Sequence, residues 1–134
     1  MAALAQKLGV AVRLVWLSRV AQEDVAVLLQ AAGVLIQPSI YEGVGLPVLE
    51  AMACGCPVVA SDIAPFREIT AGAAQLFPVA DSAGLACALR EVVDSAELRR
   101  GLSAAGLVRS RAFSWDRAAR ETLEVYHEAA AARA

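Results

Sequence analysis

The sequence predicts an α/β fold: a Rossmann-like, three-layer domain with a mostly parallel sheet of about four strands and a helical C-terminal tail. Short apolar runs alternate with longer helical patterns, which is typical of parallel strands covered by helices on both faces. The composition agrees, because 58% of the 134 residues are hydrophobic and only 5% are aromatic. No repeat or linker divides the chain, so a single domain over residues 1–134 is expected.

The first half of the chain predicts two strand–helix pairs. The apolar run at residues 12–17 predicts a strand, and residues 23–32 repeat apolar side chains at helical spacing. Gly33 is expected to end this helix, because glycine is common just after the last helical residue. The apolar run 34–38 predicts the second strand. A short helix over 47–54 follows, because it starts on a proline and is followed by a glycine.

The second half predicts two further strands and then a helical end. The apolar run 57–61 predicts a third strand, and the run 74–77 predicts a weaker fourth one. Amphipathic spacing predicts helices over 82–93 and 96–111, and Ser114 offers a cap for a last helix that ends near residue 131. Trp16 is expected in the core because it lies in a predicted strand. Trp115 is expected to pack the last helix against the domain.

Composition and charge exclude several classes of protein. The formal net charge is −2 and no basic stripe is present, so nucleic-acid binding is not expected. The only lysine is Lys7, which excludes a phosphate-binding P-loop. The cysteines Cys54, Cys56 and Cys87 are expected to be small buried thiols in a reducing compartment. No metal site is expected, because the one histidine, His127, is far from them in sequence.

The sequence predicts neither a signal peptide nor a membrane span. The uncharged run 25–41 is interrupted by Gln30, Gly33 and Gln37, and it is shorter than the roughly 18 residues that a span requires. Residues 1–20 lack the basic-then-apolar order of a signal peptide. A cytoplasmic protein is therefore expected, with at most a peripheral contact to a membrane surface.

The stretch YEGVGLPVLEAMACGCPVVASD, residues 41–62, has the features of a ligand site. It follows the predicted second strand, and open parallel sheets bind ligands at the carboxyl ends of their strands. Gly43 and Gly45 let another group approach the backbone, and the start of the following helix favours an anion such as phosphate. Glu42 and Glu50 can accept hydrogen bonds from sugar hydroxyls and from a ribose diol. The pattern is what a sugar nucleotide requires.

The spacing alone leaves a second interpretation open. A glutamate near a helix start is favoured by the helix dipole without any ligand. Glycine and proline between a strand and a helix are ordinary turn residues.

The stretch PSIYEGVGLPVLEAMACGCPVVASD resembles the signature of the retaining glycosyltransferases with two Rossmann domains (the GT-B fold) that form family four, or group 1. Their Glu-x7-Glu motif matches Glu42 through Glu50. Nearly the whole chain resembles the carboxy-terminal, donor-binding domain, since VRLVWLSRV, DIAPFREITAGAAQLFPVAD, LACALREVVDSAELRRGLSAAG and FSWDRAARETLEVY also match. The resemblance implies half of a GT-B fold. It also implies a UDP-, GDP- or ADP-activated sugar as the substrate, and transfer with retention.

The resemblance implies a role for each matching residue. Glu42, the expected catalytic residue, would contact hydroxyls of the transferred sugar, and Glu50 would hold the ribose. Val44 stands where the family often has phenylalanine, which is tolerated if the backbone does the binding. No metal or other cofactor is implied. The backbone of the loop, which consists of Gly43, Val44, Gly45 and Leu46, would contact the diphosphate or the sugar. A second segment, which consists of Ser18, Arg19 and Val20, would lie near the base.

The resemblance also implies partners outside this sequence. Family members have an amino-terminal acceptor domain, and an Arg and a Lys that neutralise the leaving diphosphate. Neither that domain nor that Arg–Lys pair is matched before Leu14. An amino-terminally truncated donor domain without turnover of its own is therefore expected, because this charge stabilisation is a large catalytic term. The last helix would pack on the missing domain, and alone it is expected to fray or self-associate through its apolar face, which includes Ala118, Leu123, Val125 and Tyr126.

Other interpretations stay open beside the transferase. A nucleotide-sugar epimerase of the same fold would bind the same diol and phosphates. A non-catalytic module would only bind a nucleotide or dock a partner protein. Arg19 and Arg67 are candidates for substitute cations in the site. For Arg67 a surface ion pair is favoured, since it lies beside Glu68 at the start of a predicted helix.

Overall fold

The computed structural model describes residues 2–132 as a three-layer α/β domain. A parallel three-stranded sheet in the order β1-β2-β3 lies between two layers of helices. The strands are β1 (Leu35–Gln37), β2 (Val58–Ser61) and β3 (Gln75–Phe77). The helices are α1 (Ala2–Lys7), α2 (Gln22–Ala31), α3 (Leu46–Ala53), α4 (Ala64–Thr70), α5 (Ser82–Asp94), α6 (Ala96–Ser110) and α7 (Trp115–Ala131).

The central strand β2 supplies side chains to both hydrophobic cores. Every residue of β2 is buried, and Val59 is aligned with Ile36 of β1 and Gln75 of β3. Val58 and Ala60 pack with residues of α3 and α4, whereas Val59 packs with residues of α5 and α6. Since successive strand residues point to opposite faces, this confirms the predicted sheet that is covered on both sides.

The helices predicted with bounds are confirmed, with ends that differ by at most one residue, and the helix expected to start at Arg67 begins at Ala64 instead. The helix expected over 23–32 is α2, and the one expected over 47–54 is α3. The cap predicted at Ser114 is also confirmed, because the Arg117 amide donates to its Oγ at 3.1 Å. Such a bond satisfies one of the amides that a helix start leaves free.

The predicted strand over residues 12–17 is wrong, so the described sheet has three strands instead of about four. Ala11–Arg13 form a single 3₁₀ turn, and residues 14–17 are irregular. Trp16 is 62% exposed, which corrects its expected place in the core. An apolar run becomes a strand only with a hydrogen-bonding neighbour and a cover. Within residues 2–132, strand β1 pairs with β2 alone.

Burial differs among the three cysteines, which corrects the expectation that all are buried. Cys56 is buried, Cys54 is half-buried and Cys87 is exposed. Burial raises the pKa of the Cys56 thiol. Helix α5 turns Ala88 and Val92 toward the core, and Cys87 lies about 100° around the helix from Ala88, which places it in solvent.

Helix α6 passes very close to α3 because Gly106 has no side chain. A Cβ atom at this position would lie 3.2 Å from Cγ and 3.4 Å from Cα of Met52. Met52 is fully buried, so it has little room to move. Gly101 lies in the same helix, and a Cβ there would meet no atom within 4 Å.

We expect Gly101→Ala and Gly106→Ala to change stability differently. Gly101→Ala should raise the free energy of unfolding by about 0.5–1 kcal/mol, because alanine favours a helix more than glycine does. Gly106→Ala has the same gain but displaces Met52, at a cost of about 1–3 kcal/mol, and should be neutral or destabilising. Urea denaturation of both variants measures the difference. Equal stabilisation by the two substitutions would contradict the close packing of α3 and α6.

Candidate functional site

The glycine-rich loop connects the carboxyl end of β1 to the start of α3. Parallel sheets of this kind leave a crevice at the carboxyl ends of their strands, where ligands bind. The loop spans residues 38–45 and carries Glu42, and Glu50 follows within α3. The structure therefore places the predicted motif at the expected edge of the sheet.

The Glu42 carboxylate is held in place by two neighbouring polar side chains. Its Oε1 accepts a hydrogen bond from Ser39 Oγ at 2.7 Å and one from Gln37 Nε2 at 3.0 Å. Gln37 Nε2 also donates to Ser39 Oγ at 3.0 Å, which closes a small network. Among residues 2–132, no group donates to Oε2 of Glu42. The side chain is thus oriented through one oxygen, and the other oxygen can accept from a ligand.

Gly45 sets the geometry of the loop at the start of α3. It is buried and has a φ of 94°, in the left-handed region that side-chain-bearing residues avoid. A Cβ at Gly45 would collide with the ring of Phe66 in α4, which is fully buried. Only glycine fits this position, so α4 fixes where the loop meets α3.

The amides of the loop point away from protein acceptors. Within residues 2–132, the amides of Gly43, Val44, Gly45 and Leu46 donate no hydrogen bond, whereas the Gly45 carbonyl accepts from the Val48 amide at 3.0 Å. Free amides at a helix start, together with the helix dipole, form an anion-binding site.

Glu50 lies on the first turns of α3 and is half-buried. Its Oε1 accepts a hydrogen bond from Nε2 of Gln22 at 3.2 Å, and Gln22 is the first residue of α2. Among residues 2–132, no group donates to Oε2. Like Glu42, this carboxylate is oriented through one oxygen and has acceptor capacity left for hydroxyl groups.

A single cleft of about 950 Å³ brings most of the predicted site residues together. This volume is near the upper end of the range of about 300–1,000 Å³ that is usual for small-molecule sites. The predicted residues that line it are Glu42, Val44, Gly45, Leu46 and Glu50.

Four predicted residues lie outside this cleft. Gly43 belongs to the loop but is not part of the lining. Ser18, Arg19 and Val20 belong to the irregular segment before α2, where the first two are exposed and Val20 is half-buried. That segment leads within two residues to Gln22, which contacts Glu50. The three residues are thus close in sequence to Gln22, which contacts Glu50, but they do not line the cleft.

The opposite wall of the cleft comes from the turn before α7 and from the start of that helix. Trp115 lies there and is 79% exposed, so the expectation that it packs α7 against the domain is wrong. The sequence signal for this wall was the pair of aromatic residues on either side of the cap at Ser114, since only 5% of the chain is aromatic. The side chains of this wall that sequence reasoning missed are Phe113, Trp115, Arg117 and Glu121, with Glu68 from α4.

Arg109 attaches this wall to the end of α4. Its Nε donates to the Ile69 carbonyl at 2.9 Å, and its Nη2 donates to the Glu68 carbonyl at 2.8 Å. The guanidinium carbon also lies 4.7 Å from the centre of the Phe113 ring. These contacts satisfy carbonyls at the end of α4 and form a cation–π pair, so they hold the turn that carries Phe113.

Two arginines near the site, Arg67 and Arg117, are engaged by carboxylates. Arg67 forms the expected surface ion pair, with Asp62 as its partner at 2.9 Å between Nη2 and Oδ2. Its side-chain hydrogen bond holds the pKa of Asp62 below the usual range. Arg117 is the one cation among the described residues that line the cleft, and its Nε donates to Glu121 at 2.6 Å. Neither Arg19 nor Arg67 lines the cleft as a substitute cation.

Two kinds of feature are absent from the described residues. Within residues 2–132, no three His, Cys, Asp or Glu side chains lie close enough together to hold a metal ion. None of the helices α1–α7 has the length and apolarity that crossing a membrane requires.

The fold and the site define a Rossmann-like domain in which a loop with unengaged amides lies between two glutamates that line one cleft. Residues 1–108 match the family described as "Glycosyl transferases group 1". The chain belongs to this family, which confirms the resemblance that the Glu-x7-Glu stretch indicated. Its fold corresponds to part of a GT-B structure.

Known proteins resemble the chain over most of its length. The O-antigen chain mannosyltransferase B of Escherichia coli is 33% identical over 111 residues, which are 83% of this chain and 29% of that protein. The sucrose-phosphate synthase of Thermosynechococcus elongatus superposes with a TM-score of 0.88 at 32% identity, over 97% of this chain and 33% of its own. WaaG, a glycosyltransferase involved in lipopolysaccharide biosynthesis, superposes with a TM-score of 0.73 at 27% identity, over 84% of this chain and 30% of its own. The chain thus spans about a third or less of the proteins it matches.

We expect Gly45→Ala to lower the free energy of unfolding by about 2–4 kcal/mol, the combined effect of left-handed strain and overpacking against Phe66. The matched control is Gly43→Ala in the same loop. A Cβ at Gly43 meets no atom within 4 Å, and the backbone there is not left-handed. The control should change stability by less than about 0.5 kcal/mol. Urea denaturation compares the two, and equal effects would show that Phe66 does not fix the loop.

Proposed function

We propose that this chain is the donor-binding part of a glycosyltransferase. The enzyme would take a sugar from a nucleotide diphospho-sugar and transfer it to an acceptor with retention. One observation carries the proposal: unengaged amides at the start of α3 lie between Glu42 and Glu50, and both carboxylates line the same cleft. Family membership supports a transferase over an epimerase. Retention is inferred from the family resemblance alone.

In this proposal the amides of Val44, Gly45 and Leu46 bind the diphosphate. They are fixed by the backbone, so they need no reorganisation when charge grows on the leaving group, which is how preorganised donors stabilise a transition state. The dipole of α3 adds to the same effect. Arg117, on the opposite wall, is already paired with Glu121, which leaves the loop amides as the groups available to bind the diphosphate.

The two carboxylates would recognise hydroxyl groups on either side of the diphosphate. Glu50 has one oxygen held by Gln22 and one free oxygen, which suits a ribose diol. Glu42 is held in the same way by Ser39 and Gln37, which suits hydroxyls of the transferred sugar next to the reacting carbon. The segment Ser18, Arg19 and Val20 would then lie toward the base, because it continues from the helix start that contacts Glu50.

In this proposal the acceptor is selected by an acceptor domain of the kind that family members have. The matched proteins include a mannosyltransferase and a sucrose-phosphate synthase, and the chain covers 29% and 33% of them. We propose that an acceptor domain completes the cleft and that turnover requires it. The free thiols of Cys54, Cys56 and Cys87 fit a cytoplasmic location.

We expect Glu50→Ala to weaken the binding of the cognate nucleotide diphosphate by about 1–3 kcal/mol, or about 5- to 150-fold, because the diol loses a charged acceptor. Calorimetric titration with UDP, GDP and ADP measures the effect. Glu124→Ala is the matched control, since Glu124 is exposed on α7 and does not line the cleft. Equal affinities of the two variants would refute the diol contact, and no binding of any nucleotide by the unmodified chain would refute the proposal.

The same titrations test the proposal that no metal ion is needed. Binding through amides and carboxylates should give equal affinity in EDTA and in Mg²⁺. A loss of affinity in EDTA that Mg²⁺ restores would show that a cation bridges the diphosphate.

Helix α7 presents an apolar face that no described residue covers. All of its residues are exposed, including Leu123, Val125 and Tyr126. We propose that this face packs on the acceptor domain in the whole enzyme and associates with a second copy in this chain. Exposed apolar surface of this kind marks protein–protein contact.

We expect the average mass in sedimentation equilibrium to rise with the concentration of the chain. Leu123→Glu should restore the monomer because it places a charge in the apolar face. Glu124→Arg, on the side of α7 that points away from this apolar face, should leave the association unchanged. A monomer at every concentration, with the helix content intact by circular dichroism, would contradict the proposed contact.

A further inference from the structure

The aromatic wall of the cleft has no role in the function proposed above. Trp115 lines the cleft and is 79% exposed, and Phe113 lines it beside Trp115 with 38% of its surface exposed. A tryptophan that exposes most of its surface to water forgoes the stabilisation that burying so large a side chain would give. An indole in the wall of a concave site is therefore a candidate for ligand contact.

The turn that carries these rings is fixed at both ends. On one side, Arg109 binds the carbonyls of Glu68 and Ile69 and stacks on Phe113 at 4.7 Å. On the other side, Arg117 Nη1 donates to the Ala112 carbonyl at 3.1 Å, and the Arg117 amide donates to Ser114 Oγ at 3.1 Å. The backbone that presents Trp115 is thus ordered before any ligand arrives, which lowers the entropy cost of binding.

The two walls of the cleft differ in chemistry in a way that fits a sugar ring. One wall presents the carboxylates of Glu42 and Glu50 and the loop amides, which bind hydroxyls and phosphate. The other carries the aromatic side chains of Phe113 and Trp115, and Arg109 covers one face of the Phe113 ring. A pyranose ring has hydroxyls at its rim and C–H groups on its faces, so it can contact both walls at once. An indole face suits a C–H face in the same way that it suits other apolar partners.

We propose that Trp115 binds the C–H face of the donor's sugar ring and so contributes to the selection of the sugar. This inference rests on the proposed function, because it assumes that the donor occupies the cleft. The nucleobase is the competing partner for the indole. The sugar is favoured because Glu42 lines the cleft with Trp115, whereas Ser18, Arg19 and Val20, which are assigned to the base, lie outside it.

The chain has two tryptophans, Trp16 and Trp115, so intrinsic fluorescence tests the proposal directly. Trp16→Phe leaves Trp115 as the only tryptophan, and Trp115→Phe leaves Trp16 as the matched control. Each protein is titrated with UDP-glucose, GDP-mannose and ADP-glucose, and with UDP, GDP and ADP. We expect the cognate sugar nucleotide to change the emission of Trp115 more than its nucleotide does, and to leave the emission of Trp16 unchanged.

Affinity gives the second measurement. Trp115→Ala should weaken binding of the cognate sugar nucleotide by about threefold to tenfold, as expected for the loss of one aromatic contact. Binding of the nucleotide alone should change less than twofold, and Trp115→Phe should retain most of the affinity for the sugar nucleotide. Circular dichroism and urea denaturation establish that each variant is folded.

Each other outcome overturns the inference in a distinguishable way. Equal changes with the sugar nucleotide and the nucleotide would place the base on Trp115. Tight binding of a sugar nucleotide with no change in Trp115 emission and no loss in Trp115→Ala would overturn the inference and leave the proposed function intact. An emission change that follows protein concentration alone would assign Trp115 to contact between copies. Failure of all six compounds to bind would overturn both proposals.

Discussion

The contact of Gly45 with the Phe66 ring is the constraint on which the site depends. The backbone at Gly45 is left-handed, and the fully buried Phe66 ring leaves no room for a side chain there. These two constraints fix the path of the loop into α3. That path places the free amides of Gly43 to Leu46 at the edge of the sheet, with Glu42 before them and Glu50 about one turn after them. The same helix, α4, receives the Arg109 side chain at its other end and so positions the second wall of the cleft.

The parts of the fold that the sequence predicted are those that local pattern determines. Strand β2 is buried on both faces, and three of its four residues are apolar, while a proline and a glycine mark the ends of α3. The run at 12–17 has five apolar residues out of six and does not form a strand. Whether an apolar run joins a sheet depends on a neighbouring strand and a cover, and neither is encoded within the run itself. Trp16 is exposed for the same reason.

The same distinction applies to the candidate site, of which one part was predictable from local pattern and the other was not. The glutamates and the amides lie within one contiguous stretch, so their spacing alone placed them at a helix start. The wall with Phe113 and Trp115 comes from the far end of the chain and reaches the cleft only through tertiary contacts of Arg109. Trp115 follows a helix cap, and a cap predicts a helix start but not which surface that start faces. Cys87 was misplaced for a different reason: burial was inferred from its residue type, although the apolar stripe of α5, with Ala88 and Val92, does not include it.

The charges of the cleft assign different tasks to its groups in the proposed function. Four carboxylates line it, from Glu42, Glu50, Glu68 and Glu121, whereas the described lining has one cation, Arg117, which Glu121 already neutralises. Net charge therefore repels a diphosphate, and the attraction must come from the directed N–H groups at the start of α3. Such groups act only over hydrogen-bonding distance, so the phosphates bind only where the loop places those amides. The carboxylates then discriminate in favour of ligands that bring hydroxyl donors, because a ligand without them would leave ionised oxygens desolvated and unpaired. In the proposed function, the backbone of one short stretch binds the anion and its side chains recognise hydroxyl groups, and Gly45 fixes the position of the loop relative to α3.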